Sequence, residues 1–304
     1  MGQTTIVAEG LGFPEGPIVC PDGSVLVVEI KRGTITRCWN GRTEVVAKVG
    51  GGPNGAAIGP DGACYVCNNG GFSWFNHPQL GVLPHGPASD YTNGRIERVD
   101  LTTGKVELLY DRVPEGMLSG PNDIVFDAHG GFWFSDLGKR YDRSAAHGGV
   151  YYAKADGSEI REVAYPMVTP NGVGLSPDGK QLYVAESNTA RLWRFDIAAP
   201  GQVAPGPATS RSAGHYVFGS PHFQIFDSLA IEANGNIAVA AAYRGGVEVV
   251  SPGGEEVEFV PMPDPVTTNI AFGGEDMRTA YVTLAGTGQL AKVDWARPGL
   301  KLNY

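Results

Sequence analysis

Thr169-Pro170-Asn171-Gly172-Val173-Gly174-Leu175-Ser176-Pro177-Asp178-Gly179-Lys180-Gln181-Leu182-Tyr183-Val184-Ala185 contains the pattern that decides the fold. A polar residue opens a short apolar run, and seven positions later an Asp-Gly pair supplies a tight turn. A second apolar run follows at once. Asp-Gly takes the positive φ angles that a reversing chain needs, so the stretch predicts two antiparallel strands joined by a hairpin. The same plan recurs along the chain. Phe13-Pro14-Glu15-Gly16-Pro17 leads to Asp22-Gly23, Gly52-Pro53-Asn54-Gly55 to Asp61-Gly62, Gly120-Pro121-Asn122-Asp123 to His129-Gly130, and Ile225-Phe226-Asp227-Ser228 to Asn234-Gly235. A sixth copy, Thr267-Thr268-Asn269-Ile270, is degenerate: Asp276 stands where the turn is due, and its glycines come early, at Gly273 and Gly274. A further hairpin usually follows each pair, clearest at Ile35 to Trp39, Asn40-Gly41 and Glu44 to Ala47.

Six units of four short strands with no helical periodicity predict an all-β, six-bladed β-propeller with four-stranded antiparallel blades. The blades are expected to start near residues 13, 52, 120, 169, 225 and 267 of one domain spanning 1–304. The second interval is the longest, and 68–92 is expected to be a loop insertion over one face. The run from His215 to Phe223, before Asp227, also reads as loop. Thr4 to Ala8 is expected to close the ring on the last blade. The composition agrees: 42 % apolar residues can fill a large core, and 44 glycines with 22 prolines suit many turns.

Other features exclude partners and compartments. A net charge of −9 argues against nucleic acid and anionic membrane surfaces. No window approaches 18 uninterrupted apolar residues, and Met1 to Glu9 lacks the regions of a signal peptide, so a soluble, cytoplasmic protein is expected. Cys64 and Cys67 form a C-x-x-C, but on a strand residues three apart point to opposite faces; buried thiols are expected rather than a metal clasp.

The first strand of each propeller blade lines the central channel, so the six leading residues form a ring: Glu15, Asn54, Asn122, Asn171, Asp227 and Asn269. Two acids and four amides without a lysine or arginine are costly to enclose. A divalent cation removes that cost, and oxygen donors suit a hard ion. Calcium is the first expectation, with Mg2+, Mn2+ or a carboxylate-bound Zn2+ as alternatives. Such an ion polarises a carbonyl and lowers the pKa of bound water, which points to ester hydrolysis with Asp227 or Glu15 receiving the water's proton. Asp123 faces away from Asn122 and is expected to fix backbone. Phe72, Trp74, His77, His85, Tyr141 and His222, in the loops, are expected to line the mouth and bind substrate with Asn122, Asn54 and Asn269.

These blocks, with Phe226-Asp227-Ser228-Leu229-Ala230, Thr268-Asn269-Ile270-Ala271-Phe272-Gly273-Gly274 and the C-terminal Val293-Asp294-Trp295, resemble the SMP-30/gluconolactonase/lactonase-like (regucalcin-like) family. The resemblance runs from about residue 10 to 300. It implies a lactone-hydrolysing propeller in which Glu15, Asn171 and Asp227 hold the metal, Asn122 faces metal or substrate, and Asp227 is the general base. Sugar-lactone members often carry an arginine where this chain has Gly120, which argues against gluconolactone as the substrate; the aromatic and histidine residues of the loops suggest one less polar than an aldonolactone. The competing readings are a phosphotriesterase-like hydrolase, a lyase or isomerase polarising a carbonyl at the same site, a calcium-binding propeller without turnover, and a metal-free strictosidine-synthase-like propeller. Oligomeric state is left open.

Overall fold

The computed structural model describes residues 4–210 and 212–304. Six antiparallel sheets follow one another along the chain, and their innermost strands meet in a closed ring. These strands are Pro14–Val19, Pro53–Ile58, Pro121–Phe126, Pro170–Leu175, Ile225–Ile231 and Thr267–Gly273. In each blade the chain then steps outward strand by strand. In the sixth, Thr5–Ala8 pairs with Gln289–Asp294 as the outermost strand, so the chain's beginning and end close the ring in one sheet. No helix occurs among the described residues, hence none able to cross a membrane. The protein is an all-β six-bladed propeller.

Apolar runs such as Cys64-Tyr65-Val66-Cys67 are explained by burial on both faces of a blade. Cys64 and Val66 pack into the cluster between the first and second blades, and Tyr65 and Cys67 into the one between the second and third. Side chains alternate across a strand, so each blade feeds two interfaces. All four cysteines are free thiols, and burial pushes the Cys64 thiol up to about 12.

Two segments read as loop are ordered strands. Within 68–92, Phe72–His77 pairs with Gly81–Pro87 in a hairpin of its own, while Asn68 ends the second strand of its blade. The hairpin is stabilised from below. Phe72, Trp74, Leu80 and Leu83 cluster with Phe13 and Ile30 of the first blade and Val266 and Ala285 of the sixth. The run from His215 to Phe223 contributes His215–Gly219, which pairs with Arg191–Ala199 as the outer strand of the fourth blade. Tyr216 lies edge-on to Trp193 there, and Phe218 stacks on Phe226.

The inner strands approach so closely that the residue after the ring position is often glycine. A Cβ on Gly55 would stand 2.3 Å from the Asn122 carbonyl oxygen and 2.6 Å from Asp123 Cα, and one on Gly16 2.8 Å from the Asn54 carbonyl oxygen. Gly62, in the Asp-Gly turn, has φ +76° but open space around its Cα. Gly55→Ala should therefore lower unfolding free energy by about 3 kcal/mol through backbone overlap, and Gly62→Ala by about 1 kcal/mol through its dihedral alone. Urea midpoints measure both, and equal losses would contradict the close approach.

Candidate metal centre at the propeller axis

Pairing between the first and second strand is irregular at the ring position in every blade. The register shifts between Glu15 and Ile18, Pro53 and Ala56, Pro121 and Ile124, Pro170 and Val173, Phe226 and Leu229, and Thr267 and Asn269. An irregularity of this kind bends the strand and re-aims side chains, here at the top of the bore. Chain entering the blades is anchored by polar residues that end second strands. Asn68 accepts from the Gly52 amide at 2.9 Å, Asp136 from those of Ser119 and Gly120 at 2.7 Å each, and Glu186 from that of Val168 at 2.9 Å.

Five ring residues are between 2 % and 6 % exposed: Glu15, Asn54, Asn122, Asn171 and Asn269. Asp227 alone is partly accessible as a residue, although its carboxyl is enclosed. Amides hold both acids. Asn269 Nδ2 donates to Glu15 Oε2 at 2.7 Å, with the Gly16 amide at 3.0 Å, and Asn171 Nδ2 donates to Asp227 Oδ1 at 2.7 Å. Neither acid forms an ion pair with a lysine, arginine or histidine among the described residues. Burial, then the charge of Asp227, pushes the Glu15 carboxyl well above the usual range. Burial also pushes Asp227 up to about 7, with Asp123 adding to it. Asn122 Oδ1 is buried without a hydrogen-bond partner.

Asp123 carries more than its sequence position conveyed. It does fix backbone: its Oδ2 accepts from the Val173 amide of the next blade at 3.1 Å and its Oδ1 from the Ile124 amide at 3.0 Å. Yet burial pushes it up to about 7 as well, and both Glu15 and Asp227 feel its charge. The site thus holds three mutually repelling carboxyls.

The residues expected to bind substrate are distributed unevenly. Phe72 and Trp74 lie on the hairpin's inner side, Trp74 with its ring centroid 5.1 Å from that of Phe13. His77 Nδ1 instead accepts from the amides of Gln79 and Leu80, both at 3.2 Å, and so caps the hairpin's own turn. His85 is exposed and lies edge-on to Phe75. His222 and Tyr141 are exposed. Neither they nor the other two histidines donate to or accept from a ring residue among the described hydrogen bonds. Asn269 is occupied by Glu15 and by its neighbour's amide, Ile270 N to Oδ1 at 2.7 Å.

Tyr243 went unnoticed in the sequence. It follows the second strand of the fifth blade, feels the charges of Asp227 and Arg140, and stacks flat (7°) on Phe223, which is 89 % exposed. Its φ of 72° is left-handed, costly for an aromatic residue. No local motif marks such a position; only the blade geometry places it beside Asp227.

The donor chemistry fits one hard divalent cation. Among the described residues no group of three or more His, Cys, Asp or Glu is arranged to hold a metal, so a donor set here would draw on amide, carbonyl or water oxygens as well. Asn122 Oδ1 is an unpartnered acceptor of that kind. Turning the Asn171 amide over would exchange its donor for an oxygen facing Asp227. Glu15, Asp227, Asn171 and Asn122 then offer the carboxylate and carbonyl oxygens that calcium or magnesium prefers.

A six-bladed propeller with acids and amides enclosed at the top of its bore defines the class of protein. Residues 13–286 match the SMP-30/gluconolactonase/LRE-like region, and the chain belongs to that family. Lactonase drp35 of Staphylococcus saprophyticus is 36 % identical over 143 residues, 47 % of this chain and 42 % of its own length. Diisopropyl-fluorophosphatase of Loligo vulgaris is 28 % identical over 213 residues, 66 % and 65 %. The chain thus spans about half the length, or less, of the drp35 lactonases it matches. Regucalcin of Agrobacterium tumefaciens, described as a calcium-binding protein, has the same fold, with a TM-score of 0.72, 18 % identity and coverage of 99 % and 98 %.

The raised acid sets a pH dependence. A carboxyl at 3.8 when unfolded and about 7 when folded takes up a proton on folding between those values. Its contribution therefore weakens stability as pH rises through that window. In chelator, Asp227→Asn should match the parent's melting temperature near pH 4 and exceed it increasingly towards pH 8. A constant difference would contradict the enclosed, unneutralised carboxyl.

Proposed function

We propose that the protein is a metal-dependent hydrolase that opens lactones at the top of the propeller bore. The observation that carries this is the pair of enclosed carboxyls, Glu15 and Asp227, opposed by amides alone. Family membership and the lactonase relative support it.

Glu15, Asn171 and Asp227 would hold the ion, calcium by the hardness of the donors, with Asn122 Oδ1 facing it. When bound, the ion would supply electrophilic activation of the lactone carbonyl and acidify a water molecule. The chain's own residues divide the remaining work. Glu15 is pinned by Asn269 and its neighbour's amide, which suits a fixed ligand. Asp227, whose carboxyl is held near 7, would be the group that takes the attacking water's proton. That proton passes to the ring oxygen as its bond to the carbonyl carbon breaks, leaving a hydroxy acid. Phe72, Trp74, Tyr141 and the Tyr243–Phe223 stack would supply apolar surface to a substrate less polar than an aldonolactone. His77 uses its Nδ1 on its own turn, and the exposed His85 and His222 would be open to substrate.

The fluorophosphatase relative favours a second reading, hydrolysis of organophosphate esters at the same centre. Lactones of graded polarity assayed beside diisopropyl fluorophosphate separate the two. Chelation should abolish lactone hydrolysis, and one of Ca2+, Mg2+, Mn2+ or Zn2+ added singly should restore it. Glu15→Gln and Asp227→Asn should each lower kcat/KM by about 100-fold or more. Undiminished hydrolysis after chelation, or in both variants, contradicts the proposal.

A further inference from the structure

Lys139 is 4 % exposed, an unusual position for a lysine, and lies outside the ring. It follows the second strand of the third blade, Gly131–Asp136, and its side chain crosses to the second blade. Nζ donates to the Asn69 carbonyl at 2.7 Å and to the Gly71 carbonyl at 2.9 Å, at the base of the 72–87 hairpin. The ammonium also sits 4.4 Å from the ring centroid of Phe72 on one side and 4.4 Å from that of Tyr91 on the other. Tyr91 is itself fixed, its hydroxyl donating to the Ser119 carbonyl at 2.8 Å.

The cage is built around the cation. A Cβ on Gly70 would stand 2.6 Å from the Tyr91 ring, and Gly70 and Gly71 have φ of +77° and +95°. These backbone conformations turn the chain so that carbonyls rather than side chains face the ammonium. Two carbonyls and two ring faces favour the charged form. Burial opposes them and draws the amine down to about 8, with Asp136, at the end of the preceding strand, pulling it back up. The hairpin's far end rests on the sixth blade, where Gly81 packs against the Gly286 carbonyl. Lys139 therefore fastens the base of a strap whose tip is held across the ring. Arg140 and Tyr141, both exposed, follow it directly in the chain.

Resting on the hydrolase reading, we infer that Lys139 is a positioning residue that latches the 72–87 hairpin to the third blade and so fixes the wall carrying Phe72 and Trp74 against the substrate. It touches neither the axial acids nor the reacting atoms. Removing it should loosen the wall and leave the chemistry alone.

Lys139→Met keeps the length of the stem and removes the ammonium. Hydrogen exchange of the full-length protein should show hairpin amides and the Ala88 amide, which donates to the Gly71 carbonyl, exchanging at least tenfold faster. Amides of the outer hairpin of the first blade should stay unchanged. With a lactone that the parent hydrolyses, KM should rise about tenfold with kcat within threefold, and calcium affinity by calorimetry should be unaltered. Tyr91→Leu, which removes one wall of the cage, should reproduce the pattern if Lys139→Met does not fold. Unchanged hairpin exchange in a folded variant overturns the inference, as does a fall in kcat at constant KM, which would place Lys139 in the chemistry. A parent that hydrolyses no lactone removes the hydrolase reading, while the exchange measurement still decides whether the latch exists.

Discussion

Like charges enclosed in a narrow space govern this molecule. Six strand starts must approach closely enough for the blades to pack, and glycine after the ring position in the first, second and fourth blades makes that approach possible. The same approach brings Glu15, Asp227 and Asp123 within electrostatic reach in a region with little water. Each carboxyl rises in pKa because burial disfavours its charge, and Glu15 rises further through the charges of Asp227 and Asp123, as Asp227 does through that of Asp123. Amides from Asn171 and Asn269 offset part of this and cannot neutralise it. Protons taken up by the carboxyls relieve the rest, and a bound cation would do the same.

Around that point the propeller separates two tasks. Interfaces between blades are apolar and continuous, with clusters such as that of Trp133, Tyr152 and Phe195 between the third and fourth blades. These supply the stability from which the polar bore subtracts. Outside the interfaces, exposed segments carry aromatic residues that add little to the core, Phe223 above all. The 72–87 hairpin stands between the two regions: its inner face is a small core in its own right.

Much of this was legible in the residues. The seven-residue interval from Asn171 to Asp178 and its copies marked five blades by the tight turn between their first two strands, and the degenerate copy at Asn269 completed the six. The ring followed, since equivalent strand starts must meet at the axis. Asp123 was only half legible: its alternation away from Asn122 was readable, but its electrostatic contact with Glu15 and Asp227 depends on how blades pack. Strand His215–Gly219 was hidden because it packs by Tyr216 and Phe218 against aromatic partners across its sheet, with a long connection before it. The hairpin at 72–87 was hidden for a related reason. Its strands contain Pro84, Pro87 and Gly86, which read as loop, and they are stabilised by Phe13 and Ala285, distant in sequence. His77 looked available because nothing in the sequence shows a turn closing back on its Nδ1.

Whether the enclosed acids await a cation is decided by calorimetric titration of chelator-stripped protein with calcium near pH 6.5, in buffers of different ionisation enthalpy. One ion should bind per chain with release of protons, since carboxyls held partly protonated by burial must ionise to bind. Binding should be lost or severely weakened in Glu15→Gln. Absence of binding by calcium and by the other divalent ions, or binding that releases no protons and is indifferent to Glu15, would show that the enclosed acids are satisfied in some other way.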